Sequence, residues 1–166
     1  MNLISFNLLN YLQPEYLKTL NDVVIRINLA WHPTAQQLYQ DVKYAKDLGF
    51  KIFVGIPTGR TKPPTSQIEY EHLEMLNLQF GIDYLAVSNV SDIKHIEPYM
   101  DLVKLEQIVP KIENKAGIDN FRKIFNDCSE AIQYVMLDHG DLFLDLKENG
   151  HTYIIILIPF WPYAKN

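Results

Sequence analysis

With 166 residues, 48% of them hydrophobic and 21% charged, the chain has the composition of one well-buried globular domain and is too short for two ordinary ones. A formal charge of −5 with no basic block excludes the electrostatic footprint of a nucleic-acid binder. The single cysteine, Cys128, excludes an internal disulfide and a cysteine-built zinc site, and a lone cysteine after a helical pattern is ordinarily a small buried residue. The first residues show no basic segment leading into a long apolar core, so a cytoplasmic location is expected. Residues 153–163 are apolar throughout but number only 11 and include Pro159 and Pro162, whereas a spanning helix needs about 20 residues, so no membrane segment is expected.

Residues 3–6 read as a first strand, and Pro14 starts a helix with Leu17 and Leu20 on its apolar side. Residues 23–29, Val-Val-Ile-Arg-Ile-Asn-Leu, are a strong strand signal that puts Arg26 and Asn28 on one face. An arginine between β-branched residues needs an anionic partner, either a carboxylate of the protein or a phosphate. The spacing of Leu38, Val42, Ala45 and Leu48 predicts a helix over 34–48, started at Pro33 and ended by Gly49. A strand over 50–56 then runs into a polar, proline-rich loop over 57–64. Ser66-Gln67-Ile68-Glu69 has the form of a capping box opening a helix that carries Leu73, Leu76 and Phe80 inward and ends at Gly81. The next strand covers 83–91 and includes Ser88. Ser91 is expected to cap a helix with Ile93, Ile96 and Met100 on its apolar stripe, bent at Pro98.

The stretch from Ile108 to Phe121 begins as a short apolar strand and ends as an amphipathic helix carrying Ile118, Phe121, Ile124 and Phe125. Strand alternation puts Val109, Lys111 and Glu113 on one side and Pro110 and Ile112 on the other. A buried cation beside a buried carboxylate is costly unless the two pair or bind a metal, so the residues alone leave a salt bridge and a metal site both open. Residues 132–137 form another strand, with Asp141 just past its end, so two neighbouring strand ends offer two carboxylates to one hard cation. Residues 142–150 are expected to be a short link to a last strand over 153–158.

Lys111-Ile112-Glu113-Asn114 with Gly117 and Phe121, followed by Gly140-Asp141-Leu142, resembles the barrel domain of pyruvate kinase, in the phosphoenolpyruvate/pyruvate superfamily. The strand at 83–91 is also similar to its counterpart there. The resemblance implies that Lys111 stabilises charge on a transferring phosphoryl group and an enolate, and that Glu113 and Asp141 hold a divalent metal, Mg²⁺ or Mn²⁺. It also implies that Arg26, from an Arg-x-Asn-x-Ser-His run, reaches a phosphoryl group with Asn28 beside it. The sequence keeps Arg26, Asn28 and His32 but has Ala30 in place of the serine and an extra Trp31, which argues against the family's potassium site. Gly55 stands where the family has an aspartate, and no inserted lid domain follows.

Seven strand candidates alternating with helices predict a single α/β domain over residues 1–166, a parallel, TIM-barrel-like (β/α) fold that is shortened or incomplete, since a full barrel takes about 250 residues. Open sheet edges of this kind predict a homo-oligomer. The implied function is binding of a divalent metal with a pyruvate or phosphoenolpyruvate ligand, with Lys111 and Arg26 supplying positive charge. Two alternatives are a metal-dependent pyruvate lyase of the same superfamily, with His139 as its proton shuttle, and a non-catalytic binding protein derived from the fold.

Overall fold

Short runs of Val, Ile and Leu bounded by turn residues form strands buried on both faces, the arrangement that parallel sheets require. The computed structural model describes residues 2–9, 12–58, 68–128 and 131–150. Its strands are β1 (Asn2–Ser5), β2 (Val23–Asn28), β3 (Lys51–Ile56), β4 (Tyr84–Val87), β5 (Ile108–Ile112) and β6 (Met136–Leu137). They lie side by side in chain order, every pair parallel, as one six-stranded sheet curled into a half-barrel. The helices are α1 (Phe6–Leu9), α2 (Pro14–Thr19), α3 (Ala35–Asp47), α4 (Tyr70–Phe80), α5 (Lys115–Asp127) and α6 (His139–Glu148). None of them is long and apolar enough to cross a membrane.

The convex face of the sheet presents Ile25, Ile27, Ile52, Val54, Leu85, Val87, Ile108 and Ile112 to helix residues such as Leu38, Val42, Leu76, Ile118, Leu142 and Leu146, all in one buried cluster. Each fully buried large aliphatic side chain contributes about 1.5–3 kcal/mol, so this layer supplies most of the drive to fold. The concave face has its own smaller cluster of Val24, Phe53, Ala86 and Val109, with Leu3, Tyr84 and Met136 packed against it. Every one of the six strands contributes to that cluster.

Three local features set where the strands deliver their ends. Asn114 caps α5 by accepting the Gly117 N–H at 2.8 Å. Gly117 lies so close to the β4–β5 connection that a Cβ there would sit 2.6 Å from the Val90 carbonyl oxygen, so only glycine allows this approach. Asp145 of α6 accepts the Lys115 N–H at 2.8 Å, which ties α6 to the first turn of α5.

Several expectations need correction. The helix expected over 93–100 is two 3₁₀ turns, Ile93–His95 and Glu97–Tyr99, and the cap is Asp92, which accepts the Lys94 N–H at 3.0 Å, rather than Ser91. Pro98 lacks the N–H that a continuous helix would use, and the tighter turns still bury Ile96. The strand expected over 83–91 stops at Val87, because Asn89 adopts a left-handed conformation with φ of 55°. α4 starts at Tyr70 with Glu69 as its uncapped N-cap, so Glu69 is not the third residue of a capping box, and Ser66 and Gln67 lie outside the described residues. β6 pairs only at Met136 and Leu137 rather than over 132–137. The link expected over 142–150 is most of α6: Leu142 and Leu146 are one helical turn apart and fully buried, and Gly150 with φ of 70° ends it. The strand expected over 153–158 and most of the loop over 57–64 lie outside the described residues.

Candidate functional site

Strand alternation carries the concave face from apolar to polar within two residues. Val24 is followed on that face by Arg26 and Asn28, Phe53 by Gly55, Ala86 by Ser88, Val109 by Lys111 and Glu113, and Met136 by Asp138. The second members of these pairs, Arg26, Asn28, Gly55, Ser88, Lys111, Glu113 and Asp138, line a cleft of about 430 Å³ at the C-terminal ends of the strands, together with Asp141, Asp145 and Glu148 of α6. Parallel α/β sheets place their ligands at that end.

Lys111 lies at the centre and is only 5% exposed. Its ammonium donates to Glu113 Oε1 at 2.5 Å and Ser88 Oγ at 3.3 Å, and it pairs with Asp138 Oδ2 at 3.3 Å. A lysine ammonium has three hydrogens, and three partners surround this one. Glu113, equally buried, accepts the backbone N–H of Asn89 on its other oxygen at 2.6 Å. Asn89 is itself held by a side-chain bond to the Thr58 carbonyl at 2.9 Å, and its left-handed backbone aims the N–H at the carboxylate. Burial by itself would raise the Asp138 carboxyl, but the Lys111 ammonium, helped by Arg26, outweighs it and holds the group below the usual carboxylate range.

Glu113, Asp138 and Asp141 each present one carboxylate oxygen, all within 4.8 Å of one another. Three hard oxygen donors suit Mg²⁺ or Mn²⁺. The bonds from Lys111 and Asn89 leave room for this, since an ionised carboxylate has about four lone-pair sites. The residue types and their convergence therefore fit a divalent metal. Glu113 and Asp141 are the ligands expected from sequence, and α6 brings Asp141 in from its first turn. Asp138 is an addition; its signal was the strand period, since it lies two residues beyond the inward Met136.

The Arg26–Asn28–His32 run divides in space. Arg26 faces the cleft, its buried Nε has no hydrogen-bond partner, and it makes no ion pair among the described residues. Asn28 lines the cleft, but its side-chain oxygen accepts the Ala30 N–H at 3.1 Å and caps a 3₁₀ turn, Leu29–Trp31. His32 is a buried latch, bonded to the Asn28 carbonyl at 2.9 Å and to Asp41 of α3 at 3.1 Å. Asn89 and Asp145 were not foreseen, because Asn89 donates its backbone N–H to a carboxylate 24 residues away and the Asp145 carboxylate accepts a backbone N–H from 30 residues away.

The chain thus belongs structurally to the parallel α/β proteins, with an acidic, lysine-centred cleft at the strand ends. No protein-family model matches it, and no curated protein does. Among solved structures it is similar to RipC from Yersinia pestis, at 17% identity and a TM-score of 0.48, over 78% of this chain and 56% of that one. The chain spans little more than half the length of that protein.

Proposed function

We propose that the half-barrel is a shortened TIM-barrel-like domain of the phosphoenolpyruvate/pyruvate type, as its resemblance to the pyruvate kinase barrel implies, and that its cleft binds a divalent metal together with a pyruvate or phosphoenolpyruvate ligand. The observation that carries this reading is the convergence of Glu113, Asp138 and Asp141 oxygens within 4.8 Å beside the buried ammonium of Lys111. Mg²⁺ or Mn²⁺ held there would supply Lewis-acid stabilisation of an enolate oxygen. Lys111, itself only 5% exposed, keeps a fixed positive charge next to the carboxylates on the buried side of the site, where such charges act most strongly. Arg26, on the opposite wall, offers a guanidinium to the anionic part of the ligand.

Isothermal titration tests the proposal, with oxalate as a mimic of the pyruvate enolate. Mn²⁺ is expected to bind at one site, oxalate to bind only once Mn²⁺ is present, and Glu113→Ala to weaken Mn²⁺ binding by at least about tenfold. Mn²⁺ binding untouched by Glu113→Ala would remove the basis for this reading. Self-association in the cytoplasm belongs to the same proposal, and a monomer by sedimentation velocity would count against it.

A further inference from the structure

The two cations of the cleft are not equally available to a ligand. Lys111 has its three hydrogens facing Glu113, Ser88 and Asp138, so it cannot bond a ligand without giving up a partner already in place. Arg26 has a buried, unpartnered Nε and no ion pair among the described residues. Among the described residues that line the cleft, these two cations face five carboxylates: Glu113, Asp138, Asp141, Asp145 and Glu148. A divalent metal offsets two of those negative charges and leaves the lining still slightly negative.

We infer that Asp138 is a specificity-determining residue: by occupying Lys111 and adding a negative charge to the cleft lining that holds Arg26, it fits the cleft to an unphosphorylated 2-oxo monocarboxylate and against a phosphorylated one. This rests on the metal-and-pyruvate reading above and narrows it. A phosphate ester adds about −1.5 to −2 of charge at neutral pH, which such a lining repels, whereas one carboxylate is satisfied by the metal and a single guanidinium. Asp138 is the partner of Lys111 whose removal would do most to reverse this. Ser88 is uncharged, and Glu113 is also tied to the Asn89 amide.

The test compares pyruvate, a 2-oxo monocarboxylate, with phosphoenolpyruvate by titration at saturating Mn²⁺, in the wild-type chain and in Asp138→Asn, which keeps the shape and removes the charge. The wild type is expected to bind pyruvate at least about tenfold more tightly than phosphoenolpyruvate. In Asp138→Asn that ratio is expected to fall by about tenfold, through a gain for phosphoenolpyruvate. Taking the ratio cancels any common loss of metal affinity. An unchanged ratio in the variant, or a wild type that prefers phosphoenolpyruvate, overturns this inference and leaves the metal reading intact. Absence of Mn²⁺-dependent binding of either ligand to the wild type overturns both. Should Asp138→Asn fail to fold, Asp138→Ser gives the same comparison, and an unchanged ratio there overturns the inference equally.

Discussion

The two faces of the same strands treat burial differently. On the convex face every inward-pointing position from β2 to β5 is aliphatic apart from Pro110, and helices cover them all. On the concave face the side chains change within two residues from Val109 and Met136 to Lys111, Glu113 and Asp138. One face is stabilised by area removed from water. The other holds charges that are tolerable only as a complete set, because a buried ion left without its partner costs far more than the pair contributes.

The largest expected effect comes from breaking that set. Lys111→Met leaves Glu113 and Asp138 facing each other without a cation, and should lower stability in urea unfolding by about 3–5 kcal/mol. Adding Glu113→Gln to Lys111→Met should restore part of the loss, since the more deeply buried of the two remaining carboxylates is then neutral. Full additivity of the two changes would mean that the concave face is no more coupled than the convex one.

A convex-face truncation gives the reference value. Leu76→Ala on α4, at a fully buried position, should cost about 2–5 kcal/mol whatever the pH or metal content of the buffer. Lys111→Met, by contrast, should depend on both. Equal sensitivity of the two variants to Mn²⁺ would undo the distinction between the faces.

Smaller still is the effect of crowding the junction between them. Gly117→Ala forces a methyl group against the Val90 carbonyl and should cost about 1–3 kcal/mol, together with weaker Mn²⁺ binding, because α5 follows directly from the strand end that carries Glu113. A crystal structure of the variant with unshifted backbone at Val90 would contradict this.

The smallest expected effect is at high pH. Burial raises the Cys128 thiol above its ordinary 9.0, with Asp127 adding to it, and burial followed by Tyr134 raises the Tyr84 phenol above its ordinary 10.0. Both groups favour the protonated form when folded, so their contribution is fully present below those ordinary values and is lost as pH rises through the folded ones. Melting temperature should therefore fall between pH 9 and pH 11, and less steeply in Tyr84→Phe. A drop of equal slope in that variant would assign the effect elsewhere.

How far the site was legible follows from the same contrast. Strand period two put Arg26 with Asn28 on one face of their strand, and Lys111 with Glu113 on one face of theirs, because that period depends on nothing but backbone geometry. Glu113 and Asp141 were found as a pair from two neighbouring strand ends, and the resemblance agrees with that pairing. Asp138 was not, since a polar residue at a strand end reads equally well as the start of a turn. Asn89 was not, because its part is played by a backbone N–H in a left-handed turn, and an asparagine after Ser88 carries no mark of that conformation. Of the secondary structure, long periodic elements such as α3 and α5 were readable. α6 was missed because its apolar spacing, Leu142 and Leu146, spans one turn only, and the segment over 93–100 differs because Pro98 interrupts it into two 3₁₀ turns rather than merely bending it.

The order of the strands bears on how the molecule is made. Among the described residues each strand lies beside the one translated before it, so none of these strands waits for a distant partner downstream. A nascent chain emerging at about 5–20 residues per second can zip up these strands stepwise at the ribosome exit, with the acidic groups of β5 and α6 arriving after the first four are in place.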